Sequence, residues 1–133
     1  MKTISGIEIT GIACCVPSNK ISNKKNADKK RLRTIKSIGI ENRHIAEEKI
    51  CTSDLVLKAA NHVIQKLKWR RDDVDILILV TQTPDYLTPA TSGILQDKLN
   101  LRKNIIVYDI NLGCSGYSHG LIAISSIMKS LNL

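Results

Sequence analysis

Val74-Asp75-Ile76-Leu77-Ile78-Leu79-Val80 is a nearly continuous apolar run in a chain of 133 residues. A strand with one wet face alternates apolar and polar side chains. A run without that alternation predicts a parallel strand covered on both faces. A second apolar run, Ile105-Ile106-Val107-Tyr108, predicts a companion strand from Ile105 to Ile110. Parallel neighbours need a crossover between them. Thr88-Pro89 starts a helix that reaches about Leu99, with Thr88 as its cap and Pro89 at its first position.

The rest of the chain fits the same plan. Ile7 and Ile9 alternate with Glu8 and Thr10 before Gly11-Ile12-Ala13, so Ile4 to Cys14 reads as a half-buried first strand that Pro17-Ser18-Asn19 ends. A short helix is expected from about Ala27 to Lys36, and Gly39 to His44 reads as a turn and a short extended piece. Thr52-Ser53-Asp54 opens the clearest helix, with Ser53 as cap and Asp54 complementing the dipole. Its apolar stripe runs through Leu55, Val56, Ala59, Ala60, Val63, Ile64 and Leu67. His62 lies off that stripe and reads as a surface residue. Strand, helix, strand, helix, strand, helix is the signature of an α/β fold, a mostly parallel sheet with right-handed crossovers.

Composition narrows the classes. Hydrophobic content of 43% and charged content of 24% suit a soluble globular domain, and the chain is long enough for one. With no Phe, the core rests on Ile, Leu and Val. No apolar run approaches the ~18 residues that a membrane span needs. Met1-Lys2-Thr3-Ile4-Ser5 lacks a signal peptide's apolar stretch, so the cytoplasm is the expected compartment. Cys14, Cys15, Cys51 and Cys114 form no C-x-x-C pair, and His44, His62 and His119 show no zinc-like spacing to them. The net charge of +8 is local. Lys20, Lys24, Lys25, Lys29, Lys30, Arg31, Arg33 and Lys36 face only Asp28 within their stretch, leaving one unit for the remainder of the chain. No aromatic side chain is interleaved for base stacking, which weakens a single-stranded nucleic-acid reading. An acidic protein, a phosphate-bearing ligand and a merely solvated face remain open.

Candidate chemistry gathers at Asp109-Ile110-Asn111-Leu112-Gly113-Cys114-Ser115-Gly116-Tyr117. A cysteine stands there between a buried strand and a helix expected over Leu121 to Leu131. Free N–H groups and the macrodipole at a helix start stabilise a thiolate. Gly113 and Gly116 permit a sharp turn and leave room for a substrate. The alternative is a structural cysteine beside a tight turn. In open α/β sheets, ligands collect at the carboxyl ends of strands, where Cys114 and the Thr81–Thr88 loop both fall. The last helix is apolar nearly all round, which belongs inside a protein. A three-stranded sheet cannot cover it, so the chain reads as part of something larger.

These residues resemble the thiolase-fold condensing enzymes, most closely 3-oxoacyl-(acyl-carrier-protein) synthase III. Gly39-Ile40-Glu41-Asn42-Arg43-His44 is similar to the family's G-I-x-x-R-H segment, and Asp75 to Thr83 to its second strand and Thr-rich loop. Asp109 to Tyr117 is similar to its nucleophile segment, D-[IV]-x-x-x-C-[SA]-G-[FY]. The resemblance implies an incomplete thiolase-like fold, residues 1–133 being the N-terminal part of one condensing-enzyme domain whose C-terminal half is absent. It implies a cytoplasmic homodimer without a resident cofactor, with acyl-CoA as substrate and acyl carrier protein as partner. Cys114 is the implied nucleophile. Thr88, just before Pro89, matches a position that reaches across the dimer to shape the partner's acyl pocket. Arg33 falls where many members place a Trp against the CoA adenine, and the only tryptophan here is Trp69. The family's decarboxylating His and Asn lie in its C-terminal half, and none of the three histidines here matches. A truncated gene product, an isolated fragment and one piece of a split enzyme all fit. A non-catalytic half-domain serving assembly is the alternative to a catalyst.

Overall fold

A computed structural model describes residues 3–133. Its centre is a parallel pair, β3 (Ile76–Val80) and β4 (Ile106–Ile110), with Ile76 opposite Ile106 and Val80 opposite Ile110. Helix α3 (Thr91–Lys98) makes the crossover between them. Leu79 of β3 joins Leu95, Leu99 and Leu101 in the buried core, and Leu57, Ala60 and Ile64 of α2 (Thr52–Leu67) pack against that cluster. Side chains alternate across a strand, so Ile78 and Val80 point to the opposite face. There α4 (Gly116–Leu131) lies, so close that a Cβ on Gly116 or Gly120 would fall 2.6 or 2.8 Å from a Val80 methyl.

Towards the N-terminus, β1 (Lys20–Ser22) and β2 (Asn42–His44) pair antiparallel, with Ile21 opposite Arg43. Helix α1 (Lys29–Ile38) is an excursion between them. Asp28 accepts from the Arg31 N–H at 2.7 Å to start it, and Gly39, at φ 80°, ends it by donating to the Ile35 carbonyl at 2.8 Å. The expected helix over Ala27 to Lys36 is therefore present two residues further on.

Four expectations are corrected. Ile4 to Cys14 forms no strand. The segment lies against α2, where a Cβ on Gly11 would sit 2.8 Å from Leu67 Cδ1. Alternation marks a two-faced segment, but only a hydrogen-bonded neighbour makes it a strand. The sheet consequently has two parallel strands among the described residues, and although helices lie on both faces of β3, only Leu79 is buried and its other residues are half-buried. Ser53 is not the cap of α2. Cys51 occupies that position, Asp54 accepts from the Cys51 N–H at 3.0 Å, and Ser53 is fully buried, its Oγ accepting from Lys98 Nζ at 3.1 Å. Thr88 and Pro89 do not open α3. Their peptide is cis, Ala90 precedes the helix, and the Thr91 and Ser92 N–H groups donate to the Asp109 carboxylate, each at 2.8 Å. A cap delivered from another strand leaves no local signal.

The last helix starts five residues earlier than its apolar pattern. Its first turn, Gly116-Tyr117-Ser118-His119, closes against β3 through glycine, which carries no hydrophobic mark. No helix among the described residues is long and apolar enough to cross a membrane.

Candidate active site at the end of the parallel pair

The five residues from Asn111 to Ser115 turn the chain from β4 into α4. Leu112 N–H donates to the Ile110 carbonyl at 3.1 Å and Gly116 N–H to the Gly113 carbonyl at 2.8 Å. Cys114 sits inside this tight turn, exposed to solvent, two residues ahead of the helix start. It therefore stands just ahead of the first turn of α4, a place where an anion is favoured. The Cys114 side chain is exposed in this chain. Cys14, Cys15 and Cys51 are also free.

The neighbouring loop, Thr81 to Ala90, meets this turn at its start. Thr81 N–H donates to the Ile110 carbonyl at 3.1 Å, extending the ladder by one bond. The Gln82 carboxamide lies over Gly113, where a Cβ would meet it at 3.0 Å. Further along, Thr52 Oγ1 donates to the Thr83 carbonyl at 2.7 Å, and the Asp85 carboxylate accepts from the Ser53 N–H at 3.0 Å. Asp85 N–H in turn donates to Thr91 Oγ1 at 3.0 Å. The middle of the loop has no such support: Tyr86 and Thr88 are exposed, and Leu87 is 100% exposed.

A cavity of about 650 Å³ opens between β3 and α4 beside the turn, lined by Ile78, Val80, Thr81, Gln82, Thr83, Leu112, Gly113, Tyr117, Gly120, Leu121 and Ile124. Gly113 belongs to its wall and Cys114 follows at its rim. Arg33 is exposed on α1, and no hydrogen bond or ion pair among the described residues joins it to Cys114 or Thr88. The three residues singled out from sequence are thus not gathered by this chain into one cluster. Those that sequence missed, Gln82, Asp85, Thr91 and Ser92, carried no signal apart from their place in a Thr-rich loop and at a helix start. Nowhere among the described residues do three or more His, Cys, Asp or Glu side chains gather as a metal site would require.

Behind the loop, the Asp54 carboxyl is held below its ordinary value of 3.8, first by the Cys51 backbone N–H and then by the Lys98 ammonium 3.4 Å away. The ionised form therefore belongs to the folded start of α2, on which Thr83 and Asp85 rest.

A parallel pair with helices on both faces, and an exposed cysteine between strand end and helix start, define a thiolase-like α/β protein. No family model matches the chain. A curated beta-ketoacyl-[acyl-carrier-protein] synthase III of Halalkalibacterium halodurans is 33% identical over 130 residues, covering 96% of this chain and 39% of the relative. One from a Sulfurovum species is 36% identical over 123 residues, covering 90% and 36%. The crystal structure of 3-oxoacyl-(acyl-carrier protein) synthase from Burkholderia xenovorans superposes with a TM-score of 0.80 at 35% identity, over 90% of this chain and 36% of that one. The chain belongs to the 3-oxoacyl-(acyl-carrier-protein) synthase III family of transferases and corresponds to the N-terminal part of its members. It spans well under half the length of these relatives.

Proposed function

We propose that this chain supplies the nucleophile-bearing part of a condensing enzyme that extends an acyl group by decarboxylative Claisen condensation. The Cys114 thiolate attacks the thioester carbonyl of an acyl-CoA, and the tetrahedral intermediate expels CoA thiolate, leaving an acyl-enzyme. The Cys114 backbone N–H contributes to the oxyanion hole. Malonyl-carrier protein then loses CO2, and its enolate carbon attacks the acyl carbonyl. Cys114 leaves as thiolate and 3-oxoacyl-carrier protein is released. The His and Asn that promote decarboxylation belong to the C-terminal part of the family, so this chain by itself carries only the acyl transfer.

The observation that carries this reading is the place of Cys114: exposed, at the carboxyl end of a parallel strand, immediately ahead of a helix and beside a cavity. Thr88, on the unsupported crest of its loop, is proposed to shape the acyl pocket of a second copy in a homodimer. Arg33 and its basic neighbours on α1 are proposed to meet CoA phosphates or the acidic carrier protein. The reaction needs no resident cofactor, and the cytoplasm is its proposed compartment.

Incubation with a short acyl-CoA and an intact-mass measurement test the proposal. One acyl adduct is expected per chain, lost in Cys114→Ala and unchanged in Cys51→Ala. No adduct, or one that survives Cys114→Ala, overturns it. A second reading, a half-domain that serves assembly, is favoured by α4, whose Ile122 is 59% exposed and Leu131 52%.

A further inference from the structure

The Asp109 carboxylate is the one side chain of β4 that bonds to the start of α3, taking the Thr91 N–H on Oδ2 and the Ser92 N–H on Oδ1. Both donors are fully buried residues. Two short bonds from one carboxylate to adjacent amides fix orientation as well as distance, and the macrodipole of α3 adds to their strength. Asp109 also stands just before Ile110, whose carbonyl receives Thr81 N–H, and five residues before Cys114. The strand end that launches the nucleophile turn therefore holds Thr81, the first residue of the Thr81–Ala90 loop, and Thr91, the residue that follows its last.

We propose that Asp109 is a positioning residue: it sets the crest of that loop, Tyr86 to Thr88, in register with the Cys114 turn. The consequence for acyl transfer rests on the proposed role of Cys114, whereas the coupling itself does not. The rest of the loop shows why one residue suffices. Thr83 and Asp85 are anchored to α2, so the segment from Tyr86 to Ala90 depends on where α3 begins. Asp109 decides where α3 begins. Without the carboxylate, two buried N–H groups lose their partners and the start of α3 frays, freeing the crest and the neighbouring strand end together.

Asp109→Asn and Asp109→Ala test this in the full 133-residue chain. Asparagine offers one acceptor without charge and alanine none, so effects should be graded. Amide exchange at Thr91 and Ser92 is expected to rise about tenfold in the asparagine variant, and further in alanine, as for loss of a charge-assisted bond. Alkylation of Cys114 by iodoacetamide, read per residue by mass spectrometry, is expected to fall at least about threefold relative to Cys51. Acyl transfer from a short acyl-CoA should fall in proportion. If wild type forms no acyl adduct, the catalytic proposal fails while exchange and alkylation still decide the coupling. Unchanged exchange and Cys114 reactivity would overturn it. So would an equal change at every cysteine and amide, the mark of a general loss of structure. Should the alanine variant not fold, the asparagine variant decides alone.

Discussion

At Gly120 the backbone of α4 comes so near β3 that an added Cβ would lie 2.8 Å from Val80 Cγ2. Alanine would gain about 1 kcal/mol of helix propensity over glycine. Overpacking against a fixed strand costs about 1–3 kcal/mol, so the clash wins. Gly120→Ala is expected to be net destabilising in urea denaturation, and Val80→Ala combined with it should recover part of the loss. Additive losses would mean that the two sites do not meet. The glycine was visible in the sequence, but its purpose was not, because Val80 is 40 positions away. Gly113 likewise meets a residue distant in sequence, the Gln82 carboxamide. Cys114 was the reverse case, since its neighbours in sequence alone marked it as a nucleophile candidate.

Among the elements, α2 and α3 show how far periodicity reaches. The apolar stripe of α2 foretold its existence and its buried face, yet the cap moved from Ser53 to Cys51 because Asp54 turns back to the Cys51 N–H. That carboxyl is held below its ordinary value of 3.8 in the folded chain, chiefly by the Cys51 N–H. Its stabilising contribution is complete above the ordinary value and is lost as pH falls through the depressed one. Thermal melts on an acid series should show the start of α2 weakening there, with Asp54→Asn less stable at neutral pH and flatter in that range. An Asp54→Asn variant with the wild-type acid profile would assign the dependence to other carboxylates. For α3 the expected start failed altogether, since its first amides are held by Asp109 from the next strand and not by Thr88.

For the whole molecule, the open sheet edges and the outer side of α4 matter most. Both outer edges of the β3–β4 pair are unpaired among the described residues, and Tyr117, Ile122 and Leu131 of α4 stand half or more exposed. Apolar surface of this kind marks an interface or a site of aggregation. Sedimentation is expected to find the chain self-associated, with the population shifting with concentration. A monodisperse monomer across a wide concentration range would count against both the homodimer and the assembly reading.

Local chemistry was determined by the sequence itself: the crossover pattern, the apolar stripe of α2, the run that became β3, the basic excursion of α1, and the turn carrying Cys114. Each depends on residues within a few positions of one another, where periodicity and turn preferences act. Tertiary structure alone decided that Ile4 to Cys14 is not a strand, that Asp109 caps α3, that Gln82 rests on Gly113, and that both outer edges of the β3–β4 pair stay unpaired among the described residues. Those outcomes depend on which distant segments meet. Hydrogen bonds and van der Waals contact reward such meetings only at separations of a few ångströms, and distance along the chain does not reveal them.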